Sequence, residues 1–387
     1  MHYDPILLQI VGALLVILAT ALLSRVLNQP HVVGYILAGV VLGPHGLEFF
    51  QEYELVSRIG EIGVVLLLFF VGMETTPRQL AQGWRVTVLG TLVQIAASVG
   101  LMVAIGMWLD WPLARSILMG FVISLSSTAV VLNYLRDTHR AQTKLGRDTL
   151  GVLLAQDLYL IPMLLITAIL AGRGAQTETL ILQGIGGVLA IALMAWMTLG
   201  RVVRLPLARF LRRDRELQVF LAFGLCLGFA LMFGMLHLSS ALGAFLAGML
   251  VGVARETNWV HHRLEPFRVM FVAVFFVSIG LLLDVKFVLA NAWLVGGVTL
   301  AVFVGNTAIN TLIFRLLGEG WNYSIFAGAH LAQIGEFSFV LAAAGAAQDL
   351  LPDFTYKLVI SVIALSLVLS PAWIALIARL QRKPASL

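Results

Sequence analysis

The chain of 387 residues is 60% hydrophobic and only 12% charged, and its mean hydropathy is +0.97. A soluble globular domain carries about twice that share of charged residues, so the composition excludes a soluble protein. The formal net charge is +5. Because the basic residues lie in short segments between apolar runs, we expect no nucleic-acid partner. The composition predicts an all-α polytopic membrane protein that contacts membrane lipids.

Apolar runs follow one another along the whole chain, and most are long enough to cross a hydrocarbon core of about 30 Å as a helix. We predict thirteen transmembrane helices in a single membrane domain that covers residues 1–387. In chain order they cover residues 6–26, 32–44, 56–74, 84–109, 113–135, 147–171, 179–203, 217–236, 239–254, 266–284, 291–316, 321–347 and 355–380.

The basic residues predict how this domain is oriented. With the N-terminus outside, 20 of the 25 Lys and Arg residues fall in segments that face the cytoplasm, including the cluster at 201–216. An even number of helices would spoil this segregation, which follows the positive-inside rule. We therefore expect a multi-pass protein of the cell (inner) membrane with an outside N-terminus and a cytoplasmic C-terminus.

Two segments of the second half repeat segments of the first half. GAFLAGMLVG at 243–252 matches GYILAGVVLG at 34–43 in five of ten positions, and SIGLLLD at 278–284 follows FVGMETT at 70–76 at nearly the same offset. Recurring small residues in a packed bundle explain one such pair, but two pairs favour a duplication. Predicted helices 2 and 9 are seven crossings apart, so the copies have the inverted topology of secondary transporters. We assign repeat one to residues 1–172, a linker helix to 179–203 and repeat two to 217–381.

Hydroxyl side chains interrupt the fifth predicted helix. The segment ISLSSTAVVL at 123–132 carries Ser126, Ser127 and Thr128 in succession. Such side chains satisfy backbone groups that a local unwinding frees, although they also bond the backbone of an ordinary helix. We predict that this helix is broken at 124–128.

A second polar interruption lies 208 residues later, in predicted helix 12. The segment AQIGE at 332–336 places Gln333, Gly335 and Glu336 in an otherwise apolar run. Polar breaks at corresponding positions of two halves indicate the ion site of a secondary transporter. We expect two crossed, discontinuous helices whose dipole ends face each other. In an alternative role, Glu336 only balances or caps the broken helix.

Gln156 and Asp157 lie near the middle of predicted helix 6. A charge at the bilayer centre costs at least about 3 kcal/mol on insertion scales, which makes an intramembrane carboxylate a candidate functional group. Burial disfavours its charged form unless a proton or a cation neutralises it, and a group that holds either one suits an antiporter. Gln156 adds a neutral carbonyl oxygen. The alternative is a structural Asp157 that stays protonated and makes one interhelical hydrogen bond.

Seven segments resemble, in chain order, the signature helices of the monovalent cation:proton antiporter-2 family. They are GYILAGVVLGP, EIGVVLLLFFVGMETTPRQL, SLSSTAVVLNYL, GRDTLGVLLAQDLYLIP, LGAFLAGMLVG, FFVSIGLLLD and AQIGEFSFVLA. The Gln-Asp pair at 156–157, in place of Asp-Asp, resembles the potassium-efflux or Kef-type branch. This resemblance covers essentially the whole chain.

The resemblance implies a sodium/proton-antiporter-like fold of thirteen helices and a homodimer. Its dimer domain comprises predicted helices 1–3 and 8–10, and its core domain, which moves in an elevator-like way, comprises predicted helices 4–6 and 11–13. It also implies that the cation and the proton bind at Asp157 beside Gln156. The supporting residues of the two broken helices are Ser126, Ser127, Thr128, Gln333 and Glu336.

One departure from the family pattern concerns Asn306. Many members carry a lysine nine residues before an arginine in the helix that matches predicted helix 11, and counting back from Arg315 gives Asn306. In those members the lysine is thought to pair with the empty ion-binding carboxylate. Its absence leaves a proton or a cation to neutralise Asp157, and one-for-one, electroneutral exchange is the simplest expectation.

A second departure concerns regulation. Kef-type proteins usually continue into a cytosolic nucleotide-binding domain, whereas no Gly-x-Gly-x-x-Gly motif follows a predicted strand in this chain. We expect such a domain to be missing from this chain, to be a separate subunit, or to play no part.

The leading hypothesis is a secondary transporter that exchanges a monovalent cation, with potassium favoured, for protons. We expect no enzyme and no cofactor, because no catalytic triad, carboxylate pair or phosphate loop is evident. A sodium/proton antiporter is the alternative within transport. From another class, a ligand-gated cation channel or a sensor on a transporter scaffold remains open.

Overall fold

The computed structural model describes residues 5–27, 29, 31–44, 46–49, 53–74, 85–140, 142–171, 177–198, 215–236, 238, 240–253 and 258–381. All regular secondary structure in these residues is helical. The all-α prediction is therefore confirmed for the part of the chain that is described.

The described helices, in chain order, are α1 (Pro5–Val26), α2 (His31–Leu42), α3 (Tyr53–Glu74), a π-helical segment (Arg85–Gly90) that continues into α4 (Thr91–Trp108), α5 (Leu113–Ser124), α6 (Thr128–Asp137), α7 (Lys144–Ala171), α8 (Thr177–Thr198), α9 (Arg215–Met235), α10 (Ser240–Val253), α11 (Asn258–Leu282), α12 (Val285–Ala290), α13 (Ala292–Leu316), α14 (Trp321–His330), α15 (Phe337–Ala346) and α16 (Asp353–Gln381). Each of the thirteen predicted helices overlaps at least one of them. Two predicted helices, 113–135 and 321–347, are each divided into two.

Four helical stretches among the described residues are both long and apolar enough to cross a membrane, and several shorter apolar helices accompany them. The long stretches are Thr87–Trp108, Lys144–Ala171, Ala292–Leu316 and Asp353–Gln381. The composition and these helices establish a multi-pass membrane protein. The exact number of crossings stays a prediction.

The chain divides into two compact units. The first comprises residues 1–53, 82–159 and 277–387, and the second comprises residues 54–81 and 160–276. The first unit contains both divided helices. One of its apolar clusters joins α6, α7, α13, α14 and α16 through side chains that include Leu135, Leu153 and Phe326. The core of the second unit is built around α3, α9 and α10. The division into dimer and core domains stays a prediction.

Glycine pairs allow two close helix crossings, one in each unit. In the first unit, Gly39 of α2 faces Gly280 of α11, and in the second unit Gly72 of α3 faces Gly248 of α10. A Cβ atom on any of the four would meet backbone atoms of the partner helix. The repeat offset places Gly248 on Gly39 and Gly280 on Gly72. A duplication of the predicted kind would produce such a pair of crossings, and the boundaries of the two repeats stay predictions.

Candidate functional site at the two helix breaks

The first break separates α5 from α6. The helix ends at Ser124, Leu125 is extended, and α6 begins at Thr128. The Ser127 hydroxyl accepts a hydrogen bond from the backbone nitrogen of Val130 at 3.3 Å, which is the contact expected of a helix N-cap. The predicted interruption at 124–128 is present, and Ser127 caps the helix that follows it.

The end of α5 leaves four backbone carbonyls without helical partners, and a side chain hydrogen-bonds each of them. The donors are Ser124 Oγ, Ser338 Oγ, Asn306 Nδ2 and Gln94 Nε2, which serve the carbonyl oxygens of Phe121, Val122, Ile123 and Ser124, respectively, at 2.7–2.9 Å. A helix end that is buried this deeply needs such partners, because an unpaired carbonyl costs about 1–3 kcal/mol. All four carbonyls at the end of α5 are therefore paired.

The second break covers residues 331–336, between α14 and α15, and it contacts the first break directly. The backbone nitrogen of Gly335 donates to the Leu125 carbonyl at 2.8 Å, and the Ser126 hydroxyl donates to the Leu331 carbonyl at 2.9 Å. A Cβ atom on Gly335 would meet the Ser126 carbonyl, so only glycine fits there without a shift of the backbone. The two breaks thus lie against each other.

Asn306 of α13 holds the two breaks together. Its side-chain nitrogen donates to the Ile123 carbonyl at 2.8 Å and to the Ala332 carbonyl at 3.1 Å, and the residue is 1% exposed. One amide group therefore satisfies a carbonyl from each broken helix. At the position where many family members carry a lysine, this chain has a neutral donor with two partners.

Gln156 of α7 contacts the first break through its side-chain oxygen, which accepts a hydrogen bond from the backbone nitrogen of Ser126 at 2.9 Å. Its side-chain nitrogen donates to Gln94 Oε1 at 3.2 Å. Both ends of the amide are therefore oriented. A carbonyl oxygen has two lone pairs, so Gln156 Oε1 can accept from Ser126 and still face a cation.

Asp157 lies beside Gln156 and is 6% exposed. The hydroxyl of Thr128, the first residue of α6, donates to Asp157 Oδ2 at 3.2 Å. The N-terminal end of a helix carries a partial positive charge, which stabilises a nearby carboxylate. A buried carboxylate with a hydroxyl partner at a helix N-terminus can bind either a proton or a hard monovalent cation.

The second break contributes two further polar residues. Glu336 is 9% exposed and directly precedes α15, where the helix dipole favours a negative charge. Gln333 is completely buried, and within the described part of the chain neither its side-chain oxygen nor its nitrogen has a hydrogen-bond partner. Buried amides are normally bonded, so this one has unused capacity for a water molecule or an ion.

The buried part of the described residues contains no Lys or Arg side chain that would provide a permanent positive charge. Among the described residues, the buried side chains that are carboxylates or bases are Asp157, Glu336 and His330, and no buried Lys or Arg accompanies them. No described group of three or more His, Cys, Asp or Glu residues is arranged to hold a metal ion. Single carboxylates and neutral oxygen ligands of this kind suit a monovalent cation better than a transition metal.

One residue of this site, Gln94 of α4, is absent from the sequence-based predictions. It is 1% exposed, accepts from Gln156 and donates to the Ser124 carbonyl. Gln94 is the only amide side chain in the predicted helix 84–109, and an amide in an apolar run was the signal that could have revealed it. The other predicted site residues are on or beside the two breaks.

The sequence matches a known protein family along nearly its whole length. The profile of the family described as "Sodium/hydrogen exchanger, transmembrane" matches residues 10–380. A structural comparison agrees: the sodium proton antiporter MjNhaP1 from Methanocaldococcus jannaschii superimposes with a TM-score of 0.68 over 98% of this chain and 100% of that one. At 14% identity this likeness shows the fold alone.

Three relatives are similar in sequence as well. The iron transporter MagA of Paramagnetospirillum magneticum is 37% identical over 389 residues, which cover 100% of this chain and 88% of MagA. The putative cation/proton antiporter YbaL of Escherichia coli is 32% identical, with 100% of this chain and 71% of YbaL covered. The glutathione-regulated potassium-efflux protein KefC of Enterobacter sp. is 32% identical, with 96% of this chain and 61% of KefC covered.

These matches extend over the helix breaks and over the segments that surround them. The chain belongs to the sodium/hydrogen exchanger family, as a Kef-like membrane domain of the monovalent cation:proton antiporter-2 group, and is a transport protein rather than an enzyme.

Proposed function

We propose that this protein exchanges potassium ions for protons and that the two compete for the carboxylate of Asp157. The observation that carries the proposal is the burial of Asp157 of α7 beside the N-terminal end of α6, where the Thr128 hydroxyl donates to it. A buried carboxylate is stable when a proton or a cation neutralises it, and one site that accepts only one of them at a time couples the two fluxes. Membership of a cation/proton antiporter family supports this coupling.

Potassium is the proposed cation because the ligands beside Asp157 are neutral. Gln156 supplies an amide oxygen where a second carboxylate would attract a small cation more strongly, and Thr128 supplies a hydroxyl. Potassium gives up its hydration shell more readily than sodium, so a weaker set of ligands favours potassium. The similarity to KefC supports the same choice.

The proposed exchange is electroneutral. Asn306 occupies the usual lysine position, and its amide is committed to the Ile123 and Ala332 carbonyls. With this neutral residue in place of a lysine, the charge of Asp157 is balanced by one proton in one half of the cycle and by one cation in the other.

The remaining parts of the proposal concern movement and assembly. We propose a homodimer in which the helices of the core domain, with the paired breaks, move in an elevator-like way past the dimer domain. The N-terminus is outside the inner membrane and the C-terminus is cytoplasmic. The family resemblance supports each of these statements.

Purified protein in proteoliposomes with an internal pH-sensitive dye tests the function. Potassium, rubidium, sodium and lithium are compared as driving ions, and ferrous iron is added because one relative is named an iron transporter. The expected result is potassium-driven proton movement that Asp157→Asn abolishes. The matched control is Asp353→Asn, which removes a carboxylate whose side chain is 79% exposed.

Each other outcome identifies a competing function. A response to sodium and lithium alone would make the protein a sodium/proton antiporter. Cation flux that persists without any proton movement would make it a channel, and a protein that moves no ion while still binding a ligand would be a sensor. Exchange that survives in Asp157→Asn would refute the role of Asp157.

A further inference from the structure

The side chains of Gln94 and Gln156 form a directed hydrogen-bond chain across the first break. The chain starts at the backbone nitrogen of Ser126, which donates to Gln156 Oε1 at 2.9 Å. Gln156 Nε2 then donates to Gln94 Oε1 at 3.2 Å, and Gln94 Nε2 donates to the Ser124 carbonyl at 2.9 Å. Both glutamines are essentially completely buried. This series of hydrogen bonds therefore links the backbone N–H of Ser126 to the carbonyl of Ser124, two groups on either side of Leu125 that the break leaves without helical partners.

We propose that Gln94 is a positioning residue that sets the affinity for the transported cation through Gln156. This inference rests on the proposed function, because it assigns Gln156 Oε1 as a ligand of that cation. Gln94 lies one residue further along the chain of hydrogen bonds, so it acts on the cation without touching it.

Orientation is the first part of the argument. An amide has a donating end and an accepting end, and turning Gln156 over would place its NH₂ group against the Ser126 N–H and its oxygen against Gln94 Oε1. Both contacts would then be repulsive. Gln94 therefore helps to keep the oxygen of Gln156 at the break, against the Ser126 N–H.

Polarisation is the second part. When the nitrogen end of an amide donates a hydrogen bond in a low-dielectric interior, its oxygen end becomes a stronger acceptor, by about 10–30% per bond in condensed-phase estimates. The bond from Gln156 to Gln94 thus increases the negative partial charge that a cation meets at Gln156 Oε1. The bond acts on Gln156 rather than on Asp157, so we expect potassium affinity to depend on it more strongly than proton binding at the Asp157 carboxylate does.

The first test variant is Gln94→Met, which keeps the volume of the side chain and removes both hydrogen bonds. A net hydrogen bond of about 0.5–1.5 kcal/mol corresponds to a change in apparent KM for potassium of about two- to thirteenfold. We expect KM to rise by this factor while the maximal exchange rate at saturating potassium and its dependence on pH stay close to those of the wild type.

The matched control is Ser98→Ala. Ser98 lies one turn further along α4 and is also completely buried, but its hydroxyl has no hydrogen-bond partner among the described residues. Its removal is expected to leave KM unchanged. If Gln94→Met does not yield folded protein, Gln94→Asn replaces it, since this variant keeps an amide but is one methylene too short to reach both partners.

Two measurements on the purified protein complete the test. Exchange in proteoliposomes gives KM and the maximal rate, and thermal unfolding at increasing potassium concentration gives binding without transport. A rise in KM matched by a rise in the potassium concentration needed for stabilisation supports the inference. An unchanged KM, or a fall in maximal rate and stability with no change in KM, would overturn it.

The wild type and Asp157→Asn separate this inference from the proposed function. Wild-type protein without potassium-driven proton movement, or Asp157→Asn protein that retains it, contradicts the proposed function itself. If the wild type exchanges potassium, Asp157→Asn does not, and Gln94→Met has the wild-type KM, only the inference about Gln94 fails.

Discussion

Replacement of Asn306 by alanine is expected to destabilise the paired breaks, and the structure allows the effect to be sized. The change removes the donor for the carbonyls of Ile123 and Ala332, and these residues are 8% and 0% exposed, so water does not readily replace the amide. An unsatisfied buried carbonyl costs about 1–3 kcal/mol. Polar contacts between membrane helices are worth less on average, about 0.6 kcal/mol.

These two estimates bracket the prediction. Because both carbonyls are enclosed by protein rather than by lipid, we expect a loss of about 2–4 kcal/mol of unfolding free energy for the pair. The alanine also leaves a small cavity, which acts in the same direction. Asn306→Ala should therefore fold but unfold at a clearly lower temperature than the wild type.

Thermal unfolding of purified protein in detergent measures the effect, with Asn310→Ala as the matched control. Asn310 lies one turn further along α13 and donates at 2.9 Å to the Asn306 carbonyl, a group inside the same helix. That carbonyl keeps its helical partner when the side chain is lost, so the control should cost less than about 1 kcal/mol. Equal destabilisation by the two variants would refute the claim that Asn306 joins the two breaks.

Three further outcomes follow from the same contacts. Asn306→Lys places a positive charge beside the breaks and should make exchange electrogenic. A potassium-driven current across a solid-supported membrane detects this, and a variant that still exchanges but generates no current would contradict the account. Gly335→Ala forces a Cβ atom against the Ser126 carbonyl and should lower both the unfolding temperature and the exchange rate, so wild-type values for both would be inconsistent with this close approach of the two breaks. Gln333→Met removes an amide that lacks partners among the described residues and should leave the unfolding temperature in potassium-free buffer unchanged or raised. A loss of about 2 kcal/mol or more of unfolding free energy would instead show that the amide is bonded.

Most of the architecture could be predicted from the sequence, because the bilayer imposes a length and a polarity on every helix. The predicted helices follow the described ones in order, and the interruptions at 124–128 and 332–336 coincide with the observed breaks at 125–127 and 331–336. Such breaks are visible in the sequence because the freed backbone groups need polar side chains nearby. Asp157 was visible for the same reason, as a charge where lipid excludes charge.

The partners of these groups were not visible in the sequence. Asn306 was singled out as a missing lysine, and its role in joining two carbonyls depends on the packing of α13 against both breaks. Gln94 is 62 residues from Gln156, its hydrogen-bond partner, and no local pattern links them. The short helix α12 was also missed, because its start depends on a single cap, Asp284, rather than on apolar periodicity.

The central claim is that a proton and a potassium ion compete for Asp157, and the pH dependence of potassium affinity tests it most directly. The apparent KM for potassium is measured in proteoliposomes over a series of pH values, for the wild type and for the Asp353→Asn control. Exclusive one-for-one competition predicts that KM rises by about tenfold for each unit by which the pH is lowered, in the range where the carboxyl is mostly protonated, with the maximal rate at saturating potassium retained. A KM for potassium that does not change with pH, or potassium–proton exchange that persists in Asp157→Asn, would contradict the account.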